Sequence, residues 1–183
     1  MMDTKILIGL INPKSPDNVN SVMRAAGNFR VNSVFYTGTR YPRAVKLHPG
    51  MVNMSRKVSQ NIPLTGVNSL FSDVVDTFTQ EEDMKVVCVE FAENAIALPA
   101  YQHPENALYI LGPEDGSITQ DVIDKADDVV YIPTNGCMNI AATVNVVLYD
   151  RLMKAVLANS SGLPDNNILI RENRDLNNRL KVS

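Results

Sequence analysis

Short runs of unbroken apolar residues constrain this chain more than any other feature. Lys5–Asn12 (KILIGLIN), Lys85–Phe91, Ala107–Leu111 and Val129–Ile132 lack the polar alternation of a half-solvated strand. Apolar runs of this length between turn residues read as strands covered on both faces, and such strands belong to mainly parallel sheets whose connections are helices. The intervening segments have helical spacing. Val19, Val22, Met23, Ala26 and Phe29 recur three or four apart behind Ser15-Pro16-Asp17, a cap followed by a first-turn proline. Helices are also expected over 68–80, 118–125 and 138–158, with further strands over 31–37 and 61–65. The pattern predicts an α/β protein with a mainly parallel sheet flanked by helices. A domain is expected over 1–158, followed by a polar tail over 159–183 that ends in a short helix.

The segment 138–158 carries two apolar stripes, one through Ile140, Val144, Val147, Leu148 and Leu152, the other through Met138, Ala141, Ala142, Tyr149 and Met153. A helix apolar nearly all round needs cover on two sides. The sheet supplies one; the other is either the rest of the domain or a partner subunit.

Composition enters at the question of partners. The net charge of −3 hides a division, because the first sixty residues hold nine lysines and arginines against two acids, whereas 61–158 hold four against fifteen. Such asymmetry points to a nucleic-acid-facing half. The stretch 38–60 has five cations and no acid: Arg40, Arg43, Lys46, Arg56 and Lys57. With Arg24 and Arg30 it is expected to follow RNA phosphates, and Tyr41 or His48 to stack a base. Two cysteines cannot form a disulfide framework, and Cys88, inside an apolar run, reads as a small buried hydrophobe. His48 and His103 have no ligand-like neighbours, so no metal site is expected. No apolar stretch reaches the ~18 residues of a membrane span, and the start of the chain lacks the layout of a secretory leader. A cytoplasmic location with no membrane association is expected.

Three loops beside strong strands could carry chemistry: residues 12–24, Gly112–Gly116 and Pro133–Asn139. Ligands of open parallel sheets gather beyond the carboxyl ends of the strands, where these loops fall. No G-x-G-x-x-G or G-x-x-x-x-G-K-[ST] is present, against dinucleotide binding and nucleotide hydrolysis. A G-x-S-x-G nucleophile elbow is absent too.

In order, the three loops resemble the three motifs of the SPOUT superfamily, in its SpoU/TrmH branch of RNA ribose methyltransferases. The first is Asn18-Val19-Asn20-Ser21-Val22-Met23-Arg24-Ala25-Ala26-Gly27-Asn28-Phe29. The second is Leu108-Tyr109-Ile110-Leu111-Gly112-Pro113-Glu114-Asp115-Gly116-Ser117-Ile118. The third runs from Ile132-Pro133 through Cys137-Met138-Asn139-Ile140-Ala141 to Leu148-Tyr149-Asp150. The resemblance spans roughly residues 5–155. It implies a deep C-terminal trefoil knot, which no pattern argument would suggest, an S-adenosylmethionine site within it, and a homodimer through the 138–158 helix.

The implied cofactor cradle is Leu111, Gly112, Ile132, Cys137 and Met138, with Glu114 and Gly116 shaping the loop and Phe91 as a wall. Glycine there would let backbone approach the ligand. Arg24, Asn18 and Asn139 are the implied catalytic residues. Guanidinium stays protonated, so Arg24 reads as a clamp on an alkoxide or a phosphate, oriented by Asn18 or Asn20 and reaching the partner's site. The implied reaction is methylation of an RNA ribose 2′-hydroxyl. A chain whose match begins at residue 5 looks like the small tRNA-acting members, so tRNA is favoured over rRNA. Cys137 and Met138 stand where the family usually has Ser and Leu, and Ala141 where it often has Ser or Thr. These departures keep a competing reading open, a non-catalytic RNA-binding dimer on the same fold.

Overall fold

The computed structural model describes residues 4–49, 61–78, 83–158, 166–174 and 177–182. Seven strands make one sheet: β1 (Ile6–Leu10), β2 (Ser33–Tyr36), β3 (Leu64–Gly66), β4 (Met84–Val89), β5 (Ile96–Ala97), β6 (Asn106–Leu111) and β7 (Asp128–Tyr131). Their order is β3-β2-β1-β6-β4-β7-β5, and every pairing is parallel. The helices are α1 (Pro16–Asn28), α2 (Arg40–Leu47), α3 (Asp76–Phe78), α4 (Gln120–Ile123), α5 (Ile140–Ala158) and α6 (Asn166–Asn173). A π-helical turn, Phe71–Val75, leads into α3.

The apolar runs became the central strands because both faces are covered. Ile8, Leu10, Val87, Val89, Ala107, Tyr109 and Leu111 point to α1 and α5 and form one core. Leu7, Val86, Cys88, Leu108 and Ile110 point the other way, against Leu70, Val74, Ile118 and the α3–α4 side. Side chains alternate across a strand, so each apolar run supplies two cores. Burial pushes the Cys88 thiol up to about 12, with Glu90 adding to the shift, which makes it an inert packing residue.

α1 starts as the sequence indicates. Ser15 is its N-cap, accepting the Asn18 N–H at 3.3 Å, and Pro16 follows. One element is new and one expectation needs correction. Within the basic stretch after Gly38, α2 occupies Arg40–Leu47. Its turn is set by Gly38 at φ +79°, where a Cβ would lie 2.3 Å from Asn12 Oδ1. Tyr41 is not available to stack a base; it is 6% exposed and packs edge-on against Tyr36.

Candidate active site

The carboxyl ends of β4, β6 and β7 open into one cleft of about 160 Å³. Each strand contributes the loop that follows it. Val89, Glu90 and Phe91 come from β4; Leu111, Gly112, Pro113, Glu114 and Gly116 from β6; Tyr131, Ile132, Thr134, Cys137 and Met138 from β7. Ile140 and Thr143 of α5 close the floor. All eight residues expected to cradle a cofactor line this one cleft: Phe91, Leu111, Gly112, Glu114, Gly116, Ile132, Cys137 and Met138. The Phe91 and Tyr131 rings lie 6.0 Å apart at a tilt of 44°. They leave an exposed aromatic surface suited to a flat apolar ligand.

Charge sharpens what the cleft accepts. Glu90 and Glu114 are its charged lining residues, and among the described residues no lysine or arginine lines it. A phosphate-bearing ligand would meet carboxylates, whereas a cationic one would find them favourable. An adenosine carrying a sulfonium suits these walls and this charge.

The polar residues of all three motifs meet beside the cleft. Asn139 Nδ2 donates to Asn18 Oδ1 at 3.0 Å, and Asn18 Nδ2 donates to Glu114 Oε1 at 3.2 Å. Glu114 also accepts the backbone N–H groups of Lys14, at 2.8 Å, and Ser15, at 3.1 Å. Asn139 Oδ1 accepts the Ala141 N–H at 2.9 Å, which caps α5. Partial burial raises the Glu114 carboxyl pKa, but the hydrogen bonds from Ser15, Lys14 and Asn18 outweigh it and hold it below the usual carboxylate value. Asn18 and Asn139 thus join loops here, and Glu114 ties the second motif to the first.

Glycine at 112 answers to a neighbour within the chain. A Cβ there would meet Ile118 Cγ1 and the Ile118 backbone N, each at 3.2 Å. Besides lining the cleft, Gly112 thus lets the loop pack closely on itself. The Ile118 N–H in turn donates to Glu90 Oε2 at 2.9 Å, while Glu90 Oε1 accepts the Phe91 N–H. Glu90 was missed by the sequence reading. Its signal was a lone carboxylate ending an otherwise apolar strand.

Arg24 does not join this cluster within one chain. It is exposed on α1, and the helical step of 100° per residue puts it about 120° round the axis from Asn18. No hydrogen bond or ion pair among the described residues engages it. Arg30, Arg43 and Lys46 are exposed as well. Arg40 is paired at the surface: its Nη1 and Nη2 fork onto Asp115 Oδ1 and Oδ2 at 2.7 and 2.8 Å. Arg56 and Lys57 lie outside the described residues. Among the described residues no group of three His, Cys, Asp or Glu could hold a metal, and no helix is long and apolar enough to cross a membrane.

Solved structures share the fold. The SpoU methyltransferase AviRb from Streptomyces viridochromogenes, crystallised with AdoMet, superposes at a TM-score of 0.67 with 18% identity over 89% of this chain. This chain spans 61% of AviRb's length. The A. aeolicus TrmH/SpoU tRNA modifying enzyme superposes at 0.64 with 12% identity, over 93% of this chain and 87% of its own. A structure concerned with 2-OH methylation of C/U34 on tRNA gives 0.66 and 16%, over 83% of this chain and 97% of its own. No curated protein sequence matches. The sequence pattern of one family matches from residue 5 to residue 149, across all three loops, so the chain belongs to the SpoU rRNA Methylase family.

Proposed function

We propose that this chain is an S-adenosylmethionine-dependent RNA methyltransferase that modifies a ribose 2′-hydroxyl of tRNA and works as a homodimer through α5. The observation that carries the reading is the cleft itself, with aromatic and aliphatic walls, two carboxylates and, among the described residues, no cation. That lining suits an adenosine bearing a sulfonium better than any nucleotide phosphate. Family membership and the AdoMet-bound relative support the same ligand. Leu111, Ile132 and Met138 would hold it, with Phe91 as one wall. When bound, it supplies an activated methyl group.

The residues of this chain then have separable tasks. Glu114, Asn18 and Asn139 keep the three loops in register, so that the reacting groups are held in line. Arg24 stabilises the developing alkoxide or a flanking phosphate, as a fixed positive charge in a partly dry site does well. Its exposure, and the lack of a hydrogen bond or ion pair to it among the described residues, fit a residue that completes the cleft of a second subunit. α5 offers the contact, since Tyr149, Leu152 and Leu157 are 56%, 44% and 78% exposed. The trefoil knot belongs to this reading too. It is supported by the meeting of the loops after β6 and β7 in one cleft. Substrate choice is supported by the two tRNA-concerned structures, which match over most of their own length.

The second reading, an RNA-binding dimer without catalysis, draws on Cys137, which lies exposed in the cleft where the family usually offers a serine hydroxyl. Cysteine is the weaker hydrogen-bond donor. Two measurements decide between them. Calorimetry with S-adenosylmethionine tests the cleft, and labelled methyl transfer to bulk tRNA and rRNA, followed by nucleoside mass spectrometry, tests the chemistry. A 2′-O-methylated nucleoside from tRNA is expected. Cofactor binding with no transfer to any RNA would favour the second reading, and no cofactor binding would overturn both the cofactor and the activity.

A further inference from the structure

The loop that lines the cleft between β6 and α4 is held from behind as well as from within. Glu114 fastens it to the start of α1, as described above. Asp115, which does not line the cleft, makes a second attachment. It takes both guanidinium nitrogens of Arg40, the first residue of α2, at 2.7 and 2.8 Å, with Lys14 Nζ 3.6 Å from Oδ2. The Arg40 side chain is 28% exposed and Asp115 52%. The backbone of Arg40 is fixed too, its N–H donating to Asn12 Oδ1 at 3.4 Å. Parallel, two-point pairing of this kind sets an angle as well as a distance, and a lysine cannot reproduce it. Exposed ion pairs contribute little to global stability, so the consequence of this one falls on the geometry of the loop it holds.

We infer that Arg40 and Asp115 form a positioning pair that sets the Gly112–Gly116 loop for cofactor binding, and that Arg40 is therefore not one of the RNA phosphate contacts. The inference rests on the reading of the cleft as the S-adenosylmethionine site. It also corrects the expectation that every cation from Arg40 to Lys46 faces RNA. A guanidinium forked onto a carboxylate has two of its five N–H donors engaged and its charge matched, whereas Arg43 and Lys46 are exposed.

The test uses the full chain with Arg40→Lys, Asp115→Asn and the exchange Arg40→Asp with Asp115→Arg. Wild type must first bind S-adenosylmethionine in calorimetry; failure there overturns the cleft assignment, and this inference falls with it. Given binding, Arg40→Lys and Asp115→Asn are each expected to raise the dissociation constant about five-fold or more. Both together should be no worse than either alone, because they break one contact. The exchange should recover much of the loss, and in turnover KM for the cofactor should rise by more than kcat falls. RNA binding supplies the second readout. Arg43→Ala and Lys46→Ala should each lower the slope of log K against log salt by about one, and Arg40→Ala should leave it unchanged. Unchanged cofactor affinity in both single variants, with wild type binding, would overturn the inference. So would a salt slope in Arg40→Ala reduced like that of Arg43→Ala.

Discussion

Glu114 shows how much one exposed carboxylate can organise. It accepts from two backbone N–H groups and one side-chain amide of the first motif while standing in the second. In Glu114→Gln an amide NH2 would face one of those donors, leaving at least one unpaired. The expected cost is about 1 kcal/mol at neutral pH, kept small by solvent access. Because hydrogen bonding holds the folded carboxyl below its usual value, its contribution is complete above about pH 4.5 and is lost as pH falls through the lower folded value. Thermal melts of wild type and Glu114→Gln should therefore differ at pH 7 and converge in acid. Parallel curves at all pH values would contradict this role. The resemblance had marked Glu114 as shaping its loop; which groups it holds was not legible, because Lys14 and Ser15 contribute backbone donors, and backbone donors look alike in every sequence.

At the scale of elements, α5 is anchored by a buried polar network on its inner side. Arg151 Nη1 donates to the Tyr109 hydroxyl oxygen at 2.9 Å, which leaves the phenol proton for His103 Nδ1 at 2.6 Å. His103 Nε2–H then donates to Asp150 Oδ2 at 2.8 Å, and Lys154 Nζ bonds Asp150 and the carbonyls of Leu98 and Tyr101. Tyr101 lies edge-on to the imidazole and donates its own hydroxyl to Asp128. Burial lowers the His103 pKa most; Asp150 opposes this, and Arg151 and Lys154 reinforce it. A buried histidine with a depressed pKa stabilises the fold above its unfolded value of about 6.5, and that stability is lost as pH falls through the folded value. Denaturant unfolding from pH 7.5 to 5 should show a loss of about 1 kcal/mol that His103→Gln abolishes. A wild-type curve flat over that range would refute the neutral form. From the sequence alone His103 looked solitary, because its partners lie six and forty-seven residues away.

For the whole molecule the decisive element is again α5, through its other side. Ile140, Ala141, Val144, Val147 and Leu148 are buried against the sheet side, while Tyr149 and Leu152 remain open. Under the proposed dimer, Leu152→Asp should give a monomer in light scattering and lose methyl transfer while keeping the cleft. Arg24→Ala and Asn139→Ala should each be inactive alone. Mixed and re-equilibrated, they should regain about a quarter of wild-type activity, since random pairing gives half heterodimers with one complete site each. No recovery would mean that Arg24 acts within its own chain. The charge division fits the same arrangement: the exposed Arg24, Arg30, Arg43 and Lys46 all come from the cationic first sixty residues, although the chain as a whole is acidic.

The sequence by itself determined the parallel α/β class, the cap of α1, the buried role of Cys88 and two of the loops that line the cleft. Each depends on short-range patterns: unbroken apolar runs, a serine and proline before a helix, glycine and asparagine after a strand. Only the tertiary structure decided that Arg40 pairs with Asp115, that Tyr41 is core, that Gly112 makes room for Ile118, and that Glu90 and His103 hold distant partners by hydrogen bonds. In these cases the deciding partner is distant in sequence or is a backbone group. A residue's type fixes what it can bond to, and the fold fixes what stands within 3 Å of it.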